Sequence, residues 1–331
     1  MNRLLLPALL ATSLLTTAAD WPQWRGADRT DISKETGLLK QWPEGGPKLA
    51  WMNKDVGLGY SGFAIVAGKL FTLGLRGDTE HLIAVDVKTG KELWATPVGP
   101  ILKNGWGDGP RATPTVDGDL VYALGGTGAL LAAKVADGTE AWKANMRDFG
   151  GKPPGWGFCE SVLVDEGKVI CTPGGKDGTL LALDKATGKK LWQSADWTDG
   201  AQYSSPIIAT HNGTRQYIQL TQQHVAGVSA KDGKLLWKSE WGGKTAVIPT
   251  PIYKDGFVYI ASGYGVGCKL VKLGADGTAA GMGAVVVIAT SGRPGPSGWR
   301  RGRRPNRRRA GRDRCTSGTR RRGSGVGRSR W

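Results

Sequence analysis

Eleven residues, AVDVKTGKELW from Ala84 to Trp94, return along the chain. They come back as AAKVADGTEAW (Ala132 to Trp142), ALDKATGKKLW (Ala182 to Trp192) and GVSAKDGKLLW (Gly227 to Trp237). The turn glycines Gly90, Gly138, Gly188 and Gly233 stand 48, 50 and 45 residues apart. A fifth copy, KLVKLGADGTAAG from Lys269, keeps its glycine at Gly277 and has Gly281 where the tryptophan belongs. A catalytic site is built once, so a motif repeated at a near-fixed step is a structural unit.

Each unit has an upstream half. PTVDGDLVY (Pro114 to Tyr122), VLVDEGKVI (Val162 to Ile170) and PIYKDGFVY (Pro251 to Tyr259) are β-rich runs broken by a glycine turn. FAIVAGKLF (Phe63 to Phe71) fits the same frame, and Pro206 to Tyr217 fits with a few extra residues. That pattern predicts a hairpin. A third run precedes the Thr-Gly or Asp-Gly turn, and a fourth begins at the tryptophan. Four strands per step make one propeller blade, and a blade hides its two faces only by stacking on neighbours. The expected fold is therefore all-β, a propeller of four-stranded blades with about five blades present. Trp94, Trp142, Trp192 and Trp237 are predicted to pack between blades, where each buries a large ring face. Asp86 and Asp184 are predicted to cap their own Thr-Gly turns.

The Ala-x-Asp-x-x-Thr-Gly-x-x-x-Trp unit resembles the tryptophan-docking repeat of pyrroloquinoline quinone (PQQ)-type propellers. That group includes quinoprotein alcohol dehydrogenases and the outer-membrane assembly lipoprotein BamB. Two stretches, DWPQWRGADRTDISKETGLLKQWP (Asp20 to Pro43) and GYSGFAIVAGKLFTLGLRGD (Gly59 to Asp78), resemble the secreted PQQ-like repeat proteins common in planctomycete-type bacteria. The resemblance spans roughly residues 20 to 280 and implies a ring of about seven or eight blades. For a dehydrogenase it also implies a quinone stacked on a tryptophan, Ca²⁺ held by carboxylate and amide ligands, an aspartate base and, in many members, a vicinal disulfide. The chain has no adjacent cysteines, and no Glu-Asn-Asp set falls on matching motifs. Shared fold does not carry shared activity.

The ends differ from the middle. Residues 1–19 combine Arg3, an apolar run from Leu4 to Leu15 and the small residues Thr17-Ala18-Ala19, which read as a secretory signal peptide cut before Asp20. No other apolar run is long enough to span a bilayer. The formal charge of +17 suggests a nucleic-acid binder, but residues 281–331 hold 15 Arg and one acid, Asp313, and account for most of it. Earlier residues use mainly Lys. Three readings of the tail stand: a disordered basic segment that binds RNA or acidic surfaces, an RGG-like segment, or the product of a shifted reading frame. We expect the last, with no physiological nucleic-acid partner and the native fold ending near residue 280.

Candidate site residues come from aligning the hairpins. The positions two and three before each hairpin slot vary: Tyr60-Ser61, Arg111-Ala112, Cys159-Glu160, Tyr203-Ser204 and Ile248-Pro249. They are predicted at one mouth of the central channel, the default place for a ligand. Arg111 and Glu160 are placed either as an ion pair across the channel or facing a ligand. Trp106 and Trp156, in glycine-rich loops, either stack on a bound ring or pack between blades. Cys159 and Cys171 flank one hairpin and are either a disulfide or two buried thiols. His81, His211 and His224 are predicted on different blades, without metal-ligand spacing. The expected function is an exported, non-catalytic scaffold that binds a protein or small ligand, without cofactor. The alternative is a PQQ- and calcium-dependent dehydrogenase.

Overall fold

The computed structural model describes residues 20–274 and 286–288, and these contain five antiparallel four-stranded sheets. Sheet 1 comprises Phe63–Val66, Lys69–Arg76, Thr79–Asp86 and Glu92–Pro100. Sheet 2 comprises Thr115–Asp117, Leu120–Leu124, Ala129–Lys134 and Glu140–Asn145, and is followed by a short 3₁₀ helix, Met146–Phe149. Sheet 3 comprises Leu163–Asp165, Lys168–Cys171, Leu181–Asp184 and Lys190–Gln193. Sheet 4 comprises Ile207–His211, Thr214–Leu220, His224–Ser229 and Leu235–Glu240. Sheet 5 comprises Ile252–Lys254, Phe257–Ser262, Gly267–Lys272 and Val286–Ile288. Within every sheet, spatial order follows chain order, the up-and-down meander of a propeller blade.

The last strand of sheet 5 lies beyond the boundary expected at residue 280. It pairs Val286, Val287 and Ile288 with Leu270, Lys269 and Cys268. The reason is local: AVVVIA is the only apolar, β-branched run after Gly281, and it meets the open edge of the third strand. The signal-peptide and remaining tail residues lie outside the described residues.

Turn chemistry sets the hairpins. Ala67-Gly68, Glu166-Gly167, Asn212-Gly213 and Asp255-Gly256 all have positive φ at both residues. This is the mirror-image two-residue turn whose twist matches the flanking strands. At the repeated unit, Asp86 Oδ1 accepts from the Thr89 amide and hydroxyl, both at 2.7 Å, and Asp184 does the same with Thr187 at 2.8 Å. Those hydrogen bonds to the charged form hold both carboxyls below their ordinary range. Just before this turn the register slips in sheets 1 to 4, a bulge repeated at one place.

Three of the docking tryptophans, Trp94, Trp142 and Trp192, lean on the turn glycine of the next sheet. A Cβ on Gly138 would sit 2.5 Å from the Trp94 ring, on Gly188 2.6 Å from Trp142, and on Gly233 2.4 Å from Trp192. Only glycine leaves that space, and the turn also needs its positive φ. Trp142 adds a hydrogen bond from Nε1 to the Lys185 carbonyl at 2.9 Å. Trp237 donates to Gln216 of its own sheet at 2.6 Å, and Gly277 lies outside the described residues. A fifth ring does the same work ahead of sheet 1: Trp51 lies 2.5 Å from a Cβ at Gly90 and donates to the Val87 carbonyl at 2.7 Å.

A buried network ties sheets 3 and 4: Arg215 pairs with Asp165, which also accepts from the Tyr217 hydroxyl at 2.7 Å. On sheet 5 the matching positions are uncovered. Tyr259 is 39% exposed where Tyr122 is fully buried. His211 and His224 both belong to sheet 4, against the expectation of separate blades. They stand on its first and third strands, bonded to Tyr253 and Asp199 respectively. Sheet 4's longer hairpin accounts for this, since its first strand runs on to His211.

Candidate binding site: an aromatic cavity at the inner strands

The chain enters each first strand in extended form, so successive side chains point opposite ways. The variable pairs split accordingly. Tyr60, Arg111, Cys159, Tyr203 and Ile248 line one cavity of about 310 Å³. Their followers do not. Ala112 and Ser204 are fully buried between sheets, and Ser61 and Ser204 donate to the carbonyls of Ala112 and Pro249 on the next entry segment. Two residues on, Gly62, Thr113, Ser161 and Ser205 face the cavity again. Hydroxyls stitch this inner row: Ser161 Oγ accepts from the Thr113 amide and Ser205 Oγ from the Ser161 amide, both at 2.9 Å.

Trp106 and Trp156 join the lining from two matching turns, Gly105-Trp106-Gly107 and Gly155-Trp156-Gly157. Each closes with an i to i+3 bond, Gly107 to Asn104 at 2.9 Å and Gly157 to Pro154 at 2.7 Å. Asn104 Nδ2 joins the turns through the Gly155 carbonyl at 2.8 Å. Trp106 is 79% exposed at the rim. Trp156 stacks on Tyr203 with centroids 5.1 Å apart. The Tyr60 hydroxyl donates to the Trp106 carbonyl at 2.9 Å, and the Arg111 guanidinium lies 5.2 Å above the Tyr60 ring. That spacing is within cation–π range.

Of the two placements weighed for Arg111 and Glu160, the ion pair does not form. Arg111 donates to the carbonyls of Gly107 and Gly109. Glu160 points away from the cavity, 1% exposed, and accepts from the Thr172 amide at 2.5 Å and Gln219 Nε2 at 3.3 Å. Strand alternation is the cause: Arg111 holds a first slot and Glu160 a second. Burial pushes the Glu160 carboxyl up to about 7, against the Thr172 hydrogen bonds and the Arg29 charge. Arg29 is lowered to about 9 by its own burial and stays protonated at neutral pH.

Three residues of the site were not marked by the repeat. Arg29, in left-handed backbone with φ 54°, donates to the carbonyls of Ser161, Val162 and Pro206 and so bridges sheets 3 and 4. Trp24 lines the cavity and donates to Thr250 at 3.1 Å. With Trp21 bridged to Ile65 and Pro22 accepting from Val116, the segment from Trp21 to Arg29 touches the entry or first strand of all five sheets. Buried Glu80 accepts from Leu102 and Gly126, anchoring the loop that carries Trp106. An acid on the same strand as the apolar run Leu82 to Val85, away from the turn that Asp86 caps, was the available signal for Glu80. Nothing repeated could mark the N-terminal segment.

Chemically the lining consists of aromatic rings, hydroxyls, the Ile248 side chain, one guanidinium and one thiol, with no carboxylate or imidazole among the described residues. Burial pushes the Cys159 thiol up to about 12, so it is a neutral donor to the Trp156 and Gly157 carbonyls rather than a nucleophile. Cys159 and Cys171 are separate thiols, Cys159 in the entry segment and Cys171 buried in sheet 3. No group of three or more potential metal ligands occurs among the described residues.

The family described as outer membrane protein assembly factor BamB matches residues 58–291. The chain belongs to this family. Among curated relatives, BamB of Burkholderia pseudomallei is 29% identical over 127 residues, 38% of this chain and 28% of that protein. The serine/threonine-protein kinase AfsK of Streptomyces griseus is 33% identical over 128 residues, 39% of this chain and 15% of that protein. The chain thus matches less than a third of either relative. Among solved structures, quinohemoprotein alcohol dehydrogenase of Comamonas testosteroni superposes with a TM-score of 0.57 at 18% identity, over 82% of this chain and 50% of that one. BamB of Moraxella catarrhalis gives 0.45 at 15% identity, over 69% and 73%. The family match establishes a PQQ-like repeat protein, and the superposition on the dehydrogenase its β-propeller fold. No helix among the described residues is long and apolar enough to cross a membrane.

Proposed function

We propose that the chain is an exported, non-catalytic β-propeller that captures a ligand or partner group in the aromatic cavity. The observation that carries this reading is the lining itself. Rings and hydroxyls converge on one space, and no described group there can act as a base or a calcium-binding carboxylate. Glu160, the one acid in a variable pair, spends its oxygens on Thr172 and Gln219. The residues therefore do not fit PQQ with Ca²⁺, and no redox step is derived through that group. Membership in a family described as an outer-membrane assembly factor supports export and a protein partner. The signal-like residues 1–19 support export too. The test is titration of the full chain with PQQ and Ca²⁺, followed by a dye-linked alcohol oxidation assay. No retained quinone absorbance and no turnover are expected. Quinone retention with alcohol turnover would replace this reading with the dehydrogenase.

A further inference from the structure

We infer that the cavity is built for an acidic sugar, a pyranose bearing one carboxylate, held against the rings of Trp106 and Trp156 with its acid on Arg111. This rests on the reading of the cavity as a binding site without chemistry. Three observations converge. First, the rings offer flat apolar faces at the rim and inside, which suit the C–H face of a pyranose. Trp106 is 79% exposed, with no packing duty that explains it. Second, Ser161 and Ser205 each accept a backbone amide, and the protons of both hydroxyls have no acceptor among the described residues. They offer donors to the ring oxygens of a polyol. Third, Arg111 is the single charged group in the lining, and two of its five N–H groups are engaged. The remainder match one carboxylate. PQQ, with three carboxylates, would leave two without a cation.

A peptide strand is disfavoured by the backbone. The Tyr60 and Tyr203 amides are bonded to Pro110 and Val247 carbonyls, and those of Thr113 and Ser161 to hydroxyls. These lining amides are spent, so an added strand cannot bond to them.

The test is calorimetric titration of the full chain with galacturonic acid, its methyl ester, an aryl carboxylate and an apolar peptide. The acid should bind, and the ester about tenfold more weakly or worse, as expected for loss of a charge-assisted hydrogen bond. Trp106→Ala should abolish binding with an unchanged melting temperature. Arg111→Gln should bring acid and ester to parity. Equal affinity for acid and ester in the native protein overturns the inference. So does tighter binding of the aryl carboxylate or the peptide, or no sugar binding by the folded chain. Alcohol turnover with PQQ would instead sink the non-catalytic reading, and the two failures are separable.

Discussion

Two sets of tryptophans share this molecule and are treated oppositely. Trp94, Trp142, Trp192 and Trp237 recur at one slot, and the first three close over a glycine of the next sheet. Trp106 and Trp156 sit in glycine turns closed by i to i+3 bonds, and Trp106 faces solvent. The chemistry of the side chain is the same; the difference is what covers it. Three of the repeated rings are covered by a glycine one blade on, whereas Trp106 has open space in front of it and Trp156 is covered by Tyr203. Recurrence at the docking slot marks scaffold, and exposure at the cavity rim marks the site.

The largest effect should come from the scaffold set. Trp142→Ala removes a ring that is 7% exposed together with its bond to Lys185. Loss of roughly 3–5 kcal/mol in a urea melt is expected, as for large-to-small aromatic truncation in a core. Trp192→Ala should cost less, because its Nε1 is buried without an acceptor among the described residues. An unchanged melt for Trp142→Ala would remove the docking role.

Next comes Glu160, the acid turned away from the cavity. Its folded pKa of about 7 lies above the ordinary 4.5. A raised carboxyl binds its proton more tightly in the fold, so its contribution is full below about pH 4.5 and lost as pH rises through 7. Relative to Glu160→Gln, the native protein should lose about 3 kcal/mol of unfolding free energy across that window. Urea melts at stepped pH measure this, and parallel curves for the two proteins would refute it.

The blade, its turns and its docking rings were legible in the sequence because each is enforced by repetition and by the glycine that the geometry requires. The site was half legible. Aligning the hairpins located five variable pairs, but the alternation of an extended chain was not applied to them. It sends Tyr60, Arg111 and Tyr203 inward and Ser61, Glu160 and Ser204 away. Trp24 and Arg29 lie in a stretch that resembled the family, but their roles were not legible for another reason. They precede the first blade, and their roles arise from contacts across more than a hundred residues, such as Arg29 to Ser161. The end of sheet 5 was misplaced because charge composition shifts at residue 280 while the strand-forming run continues to Ile288.

A smaller effect separates two glycines of one turn. A Cβ at Gly107 would lie 2.0 Å from the Tyr60 hydroxyl, and its φ of 119° suits glycine alone. Gly107→Ala should cost about 1–3 kcal/mol. Gly105, with nothing within 4 Å of its Cβ position, should tolerate alanine within about 0.5 kcal/mol. Equal melts for the two variants would show that the Tyr60–Trp106 geometry is not held by this turn.

The smallest effect on stability is expected at Trp106, and it is the sharpest form of the contrast. The ring buries little, and its residue contributes to the fold through the backbone: its amide is bonded to Asn104 and its carbonyl to Tyr60. Alanine keeps both bonds. Trp106→Ala should therefore melt within about 0.5 kcal/mol of the native protein, as exposed substitutions do. Trp156→Ala should cost more, because that ring stacks on Tyr203. The pair thus grades from rim to wall, and differential scanning calorimetry on both variants reads the order directly. A large loss at Trp106 would mean that its ring is packed rather than presented, and the division between repeated scaffold rings and unrepeated site rings would fall with it.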